Sequence, residues 1–143
     1  MSFCFTIYVA ESVLFKIVDG KIIDKDGVEV FLGILQSFSQ KYGCRIKVFC
    51  LCHSDEEKHL KREWCKKELG FKSNDIDIIK KHENKFCHAD PLSLLIDTNE
   101  ANVNTFIYAG GHAFLHTPNK ETKKVGDVEV ACNVMPWIDF ILF

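Results

Sequence analysis

Asp97 closes the apolar run LSLLI (residues 92–96), and a carboxylate at the carboxyl end of a buried strand stands where open α/β sheets collect their ligands. As an anion there it can hold a cation, or it can accept backbone hydrogen bonds and cap the helix that follows. A second set of side chains offers softer donors: Cys50, Cys52, His53, Cys65, Cys87 and His88 carry the thiol and imidazole groups that bind zinc. However, Cys50 and Cys52 fall on one expected strand and no paired C-x-x-C knuckle occurs, so no zinc is expected. His112 and His116 have the spacing of ligands on a helix face. They fall instead in the expected strand HAFLH, where residues i and i+4 share a face but stand far apart.

These side chains need elements to position them, and hydrophobic periodicity outlines a set. The β-branched and aromatic run FCFTIYV (residues 3–9) predicts a buried first strand. Two apolar runs flank Asp19-Gly20, a pair that favours a tight hairpin turn, so residues 13–23 are expected to form a two-stranded flap. Asp26 or Gly27 opens an expected helix with Phe31, Ile34, Leu35 and Phe38 at helical spacing, stopped at Gly43. RIKVFCL (residues 45–51) is the next strand. Ser54 followed by Glu57 is a capping-box pattern, which predicts a helix over residues 55–69 with Leu60, Trp64 and Leu69 toward the core. On that helix Lys58, Lys61, Arg62, Lys66 and Lys67 alternate with Glu56, Glu57, Glu63 and Glu68, the pattern of a solvated face. IDII (residues 76–79) and residues 92–96 are expected strands. Residues 99–108 form an expected helix, with Val103, Phe106 and Ile107 on one side and Gly110-Gly111 as its stop, followed by a strand over residues 112–116. Residues 118–124 are polar and look like a surface loop, and VGDVEVACNVMPWIDFILF follows no single period.

Alternating strands and helices in 143 residues predict one α/β domain over residues 1–143: a three-layer sandwich around a mostly parallel sheet, with a small hairpin flap and no large cap domain. The charge, 18 basic against 20 acidic residues, argues against a nucleic-acid backbone or an anionic membrane as a bulk partner. No run reaches membrane-spanning length. The seven cysteines are odd in number, and the apolar start lacks a basic leader and a processing site, so a reduced, cytoplasmic chain is expected.

WCKKELG, then Lys85, then LLIDTNEANVNTFIYAGGHAFLHT resembles the carboxyl half of the haloacid-dehalogenase-like phosphatases, especially their small 5'-nucleotidase and deoxyribonucleotidase branch. That resemblance implies a Rossmannoid sheet and phosphoryl transfer through an aspartyl-phosphate, with magnesium holding the phosphate. Such chemistry needs a nucleophilic carboxylate, a second carboxylate as acid and base, a hydroxyl and a lysine for the phosphate, and an acidic metal ligand. In IYVAESVLF, Ala10 stands at the nucleophile's position, and Glu11 and Ser12 do not restore the spacing. Cys52 takes the hydroxyl's position, with Ser54 two residues later. Lys85 matches the phosphate-holding lysine, with Lys80 and Lys81 as competitors, and Asp97 matches the first metal carboxylate but is followed by Thr98.

What the resemblance implies is therefore a degenerate phosphatase-fold protein, catalytically impaired and acting by binding. Its ligand is a phosphate or nucleotide at Lys85, Cys52 and Ser54, or a protein partner, and Asp97 is the candidate ligand of a weakly held magnesium. The alternative is an active magnesium-dependent 5'-nucleotidase. It would use Asp24 and Asp26 of Asp24-Lys25-Asp26-Gly27-Val28, a literal Asp-x-Asp-Gly-Val, as nucleophile and acid/base. The plain structural reading of that motif is a polar turn and helix cap; Asn102 and Gly110-Gly111 are likewise expected to be structural.

Overall fold

A computed structural model describes residues 5–116, with the backbone alone at residues 82–84. The expected loop over residues 118–124, the segment after it, Cys4 and Cys132 lie outside the described residues. In chain order the elements are β1 (Thr6–Ala10), α1 (Glu11–Leu14), the hairpin strands β2 (Phe15–Val18) and β3 (Lys21–Asp24), α2 (Val28–Tyr42), β4 (Arg45–Leu51), α3 (Asp55–Leu69), β5 (Ile76–Ile79), β6 (Ser93–Asp97), α4 (Glu100–Tyr108) and β7 (His112–Leu115). Short 3-10 turns at Ser73–Asp75 and His82–His88 flank β5.

Five strands form one parallel sheet in the order β5-β4-β1-β6-β7. The chain winds outward from β1 to β4 and β5, then returns to the other side of β1 for β6 and β7. This reversal sends the helices to opposite faces. Phe31, Leu35 and Phe38 of α2 and Cys65 of α3 pack with Ile7, Val9, Val48, Leu94 and Ile96 on one face. Phe106 of α4 packs with Tyr8, Phe49 and Leu95 on the other. Buried on both faces, β6 is a continuous apolar run rather than an alternating one. Each large side chain so buried contributes about 1.5–3 kcal/mol through the hydrophobic effect. The architecture is a Rossmann-like α/β sandwich, and among the described residues no helix is long and apolar enough to cross a membrane.

Local chemistry sets the boundaries. Asp19 (φ 51°) and Gly20 (φ 75°) both take the left-handed region between Val18 and Lys21, the backbone that a two-residue hairpin turn requires. The Ser54 side chain accepts the Glu57 N–H at 3.1 Å, while the Glu57 carboxylate reaches back to the N–H of His53 at 3.2 Å, one residue before the position a standard capping box uses. Asn99 caps α4 by accepting the Asn102 N–H at 3.0 Å.

Two expected core positions face outward. Leu60 is 43% exposed, because α3 turns Lys61 and Cys65, one helical turn apart, toward the sheet. Ile107 is 50% exposed, because Val103 and Phe106 take the inward stripe of α4. The four-residue helix α1 is too short to show a period in the sequence.

Candidate functional site

Where the winding reverses, the carboxyl ends of β1, β4 and β6 border a cleft of about 440 Å³, within the ~300–1,000 Å³ range of small-molecule sites. Val9 pairs with Ile96, which brings Ala10 and Asp97 alongside each other one residue further along their strands. Ala10 is 1% exposed and borders the cleft. Asp97 is wholly engaged. Its Oδ2 accepts Lys85 Nζ at 2.9 Å and Asn102 Nδ2 at 3.2 Å, and its Oδ1 accepts the Asn99 N–H at 3.0 Å. It thus serves as an ion-pair partner and as an anchor for the turn into α4.

A second ionic group lies on the opposite wall. Lys61 Nζ donates to Glu11 at 2.9 Å and to the Leu51 carbonyl at 2.6 Å, and it pairs with Glu57 at 2.8 Å. Glu11 also accepts the Leu51 N–H at 2.6 Å. Lys61 is therefore buried, against the expectation of a solvated face, because α1 carries Glu11 over the end of β4 and gives the ammonium a protected partner. Burial opposes its charge most strongly, yet the hydrogen bonds with Glu57 and Glu11 together outweigh that and raise its pKa. The same bond to Lys61 holds the Glu57 carboxyl below its usual range. Neither Lys61 nor Glu11 stood out as a site residue in the sequence. The available signal was the stripe Glu57, Lys61, Cys65, in which a charged i,i+4 pair runs into an apolar position.

The hairpin closes the third side with Lys16 and Lys25, and Ser12 and Thr98 lie between, their hydroxyls 2.7 Å apart. Burial, and then the neighbouring Lys16, lowers the Lys25 pKa. Burial and then Lys25 likewise lower that of His116, whose ring packs on Phe31.

Of the residues singled out in the sequence, Lys85, Asp97 and Ala10 meet in this cleft. Cys52 and Ser54 do not line it. They border an adjacent hollow with Lys58 and Lys80, where burial raises the Cys52 thiol to about 11, and His53 between them is the residue that reaches the cleft. Asp24 ends β3 and Asp26 sits in the turn before α2; both are exposed and border a shallow hollow of their own, while Lys25 between them faces the cleft. Cys50 and Cys65 touch in the core with their sulfurs 3.9 Å apart.

The magnesium ion that the resemblance implies is ordinarily held by one or two carboxylates together with waters and phosphate oxygens. Ala10 and Thr98 bring no carboxylate, Asp97 is held by Lys85 and Asn102, and Glu11 and Glu57 are held by Lys61. Among the described residues, no group of three or more His, Cys, Asp or Glu side chains is placed to hold a metal. Comparison with protein-family models and with curated proteins finds no match for the chain.

Proposed function

We propose that this chain is a non-catalytic, haloacid-dehalogenase-like α/β protein that binds a phosphate-bearing small molecule, such as a nucleotide, in the cleft around Lys85 and Asp97. The observation that carries this reading is Ala10. It ends the central strand, borders the cleft and offers a methyl group where covalent phosphoryl transfer would need a nucleophilic carboxylate. The carboxylates that do border the cleft are bound to lysines, which suits a fixed binding wall better than an attacking group. The position at the reversal of an open parallel sheet, with the lysines that surround it, favours a small anionic ligand.

The test is a pair of measurements on the full chain: calorimetric titration with a panel of nucleoside monophosphates, and magnesium-dependent phosphate release from the same panel. Binding without turnover is expected. Turnover that disappears on Asp24→Asn would establish the active nucleotidase instead, and failure of every compound to bind would remove the ligand-binding reading.

A further inference from the structure

We infer that the anionic group of the ligand is held at the hairpin wall of the cleft, by Lys16, Lys25 and the Ser12–Thr98 hydroxyl pair, and that the group is the dianion of a phosphomonoester. This rests on the proposed ligand-binding function and assigns the residues that would perform it.

Elimination among the four lysines of the cleft leads there. An ammonium has three N–H donors. Those of Lys61 are matched by Glu11, Glu57 and the Leu51 carbonyl, so it has none left for a ligand. Lys85 lies 2.9 Å from Asp97 with both side chains buried. The Asp97 carboxylate already offsets the Lys85 charge, which weakens its pull on a second anion. Lys16 and Lys25 remain, and among the described residues neither forms an ion pair. The hairpin brings them together. Phe15 pairs with Asp24, and the Lys25 N–H donates to the Leu14 carbonyl at 3.0 Å, so the two lysines flank one pair of facing residues and both border the cleft.

Two adjacent, unneutralised cations repel each other, and an anion placed between them relieves that repulsion. The lowered pKa of Lys25, caused by burial and then by Lys16, is consistent with this proximity. Hydroxyls complete the cradle: in the Ser12–Thr98 bond one proton is used and the other stays free to donate to an anionic oxygen. Glu11 and Glu57 share the single charge of Lys61 and so repel an anion placed beside them, which favours the side of the cleft that holds the two unpaired lysines. Two ammoniums and a hydroxyl match the three terminal oxygens and double charge of a phosphomonoester better than they match a carboxylate.

Titration of the full chain with inorganic phosphate, and then with a 5'-nucleoside monophosphate, tests the assignment, with amide NMR shifts and calorimetry as readouts. Lys16→Ala and Lys25→Met, the latter keeping the aliphatic stem, are each expected to weaken phosphate binding by about tenfold or more, and the double variant to lose it. The Lys85→Met/Asp97→Asn variant, which removes that pair without stranding either charge, is expected to lose less affinity for phosphate than the hairpin double variant. Unfolding midpoints of every variant verify that the fold persists. Binding that survives the hairpin substitutions but disappears in Lys85→Met/Asp97→Asn overturns this assignment and leaves the proposed function standing. A wild-type chain that binds neither phosphate nor any nucleoside monophosphate overturns both.

Discussion

Lys85 Nζ lies 2.9 Å from Asp97 Oδ2, with the two side chains only 5% and 2% exposed. The pair joins the 3-10 turn His82–His88 to the end of β6, and Asn102 adds a third contact from α4. An ion pair this deep is held by mutual dependence more than by net gain: both charges lose their water, and each then needs the other.

Removal of one partner is therefore expected to cost far more than removal of both. Lys85→Met should destabilise the fold by about 3–5 kcal/mol, since it leaves the Asp97 carboxylate buried and unpaired. In Lys85→Met/Asp97→Asn most of that loss should return, because the side-chain amide introduced by the second substitution keeps an oxygen that can accept the Asn99 N–H. Urea unfolding of the two single variants and the double gives the coupling. Additive single effects would show that the two charges do not depend on each other.

The Lys61 group makes a different prediction, in pH. Glu57 titrates below its ordinary value of 4.5, chiefly because Lys61 bonds its charged form. The unfolded chain thus takes up the proton first, so this stabilisation is complete above about pH 4.5 and is lost as pH falls through the lower folded value. Glu57→Gln should be less stable than the wild type at pH 7, yet lose less on acidification. The difference in slope should fall well short of the ~1.4 kcal/mol per pH unit of one fully linked proton, because Glu57 is 26% exposed and partly screened. Parallel stability curves for the two proteins between pH 3 and 6 would contradict the role given to this carboxylate. Lys61 acts on the alkaline side: its pKa is raised above 10.5, so its contribution holds below that value and is lost above the folded one.

Gly110 and Gly111 end α4 for separate reasons, and substitution distinguishes them. Gly110 takes φ 104° with open space around it, so Gly110→Ala meets only backbone strain, about 1–3 kcal/mol. A Cβ at Gly111 would run into the Phe106 ring, which is wholly buried, so Gly111→Ala should overpack the core at a cost of about 1–3 kcal/mol. Trimming the ring in Phe106→Leu should offset part of the Gly111→Ala loss and none of the Gly110→Ala loss. Thermal unfolding of the two double variants decides the matter; equal coupling in both would refute the distinction.

What the sequence makes legible here is what neighbouring residues determine. β4 (Arg45–Leu51), α3 (Asp55–Leu69) and β5 (Ile76–Ile79) fall on the residues expected of them, because Ser54, Gly43 and Gly70 mark their ends within a few positions. Asp97 is recognisable as a carboxylate that closes an apolar strand, whereas Lys85 stands out only through the resemblance, with Lys80 and Lys81 as competitors. Lys61 does not stand out, since its burial depends on Glu11, far away in the chain, and on a helix too short to leave a periodic trace. Leu60 misled for the same reason: a helix made mostly of charged residues has no strong apolar stripe, and a buried lysine took the place of one. The pairing of Lys85 with Asp97, and the absence of any such partner for Lys16 and Lys25 among the described residues, are tertiary facts that no local pattern encodes.

Thiol chemistry offers a check on how firmly the end of β4 is closed. Cys44 and Cys52 are both raised to about 11, chiefly by burial. Cys50 is raised as well, first by its hydrogen bond with Cys65 and then by burial. The thiolate is the reacting form, so at pH 8 a thiol with a pKa near 11 is ionised in roughly one molecule per thousand. Burial then hides even that fraction from a reagent. Cys87 is exposed on the 3-10 turn before β6. Alkylation with iodoacetamide at pH 8 should therefore modify Cys87 first among these five cysteines, with Cys44, Cys50, Cys52 and Cys65 reacting only on denaturation. Peptide mapping after timed quenching reads the order directly. Labelling of Cys52 as fast as Cys87 would mean that the carboxyl end of β4, which forms one edge of the cleft, opens in solution. The Lys61 group that rests on Leu51 would then not be a fixed wall.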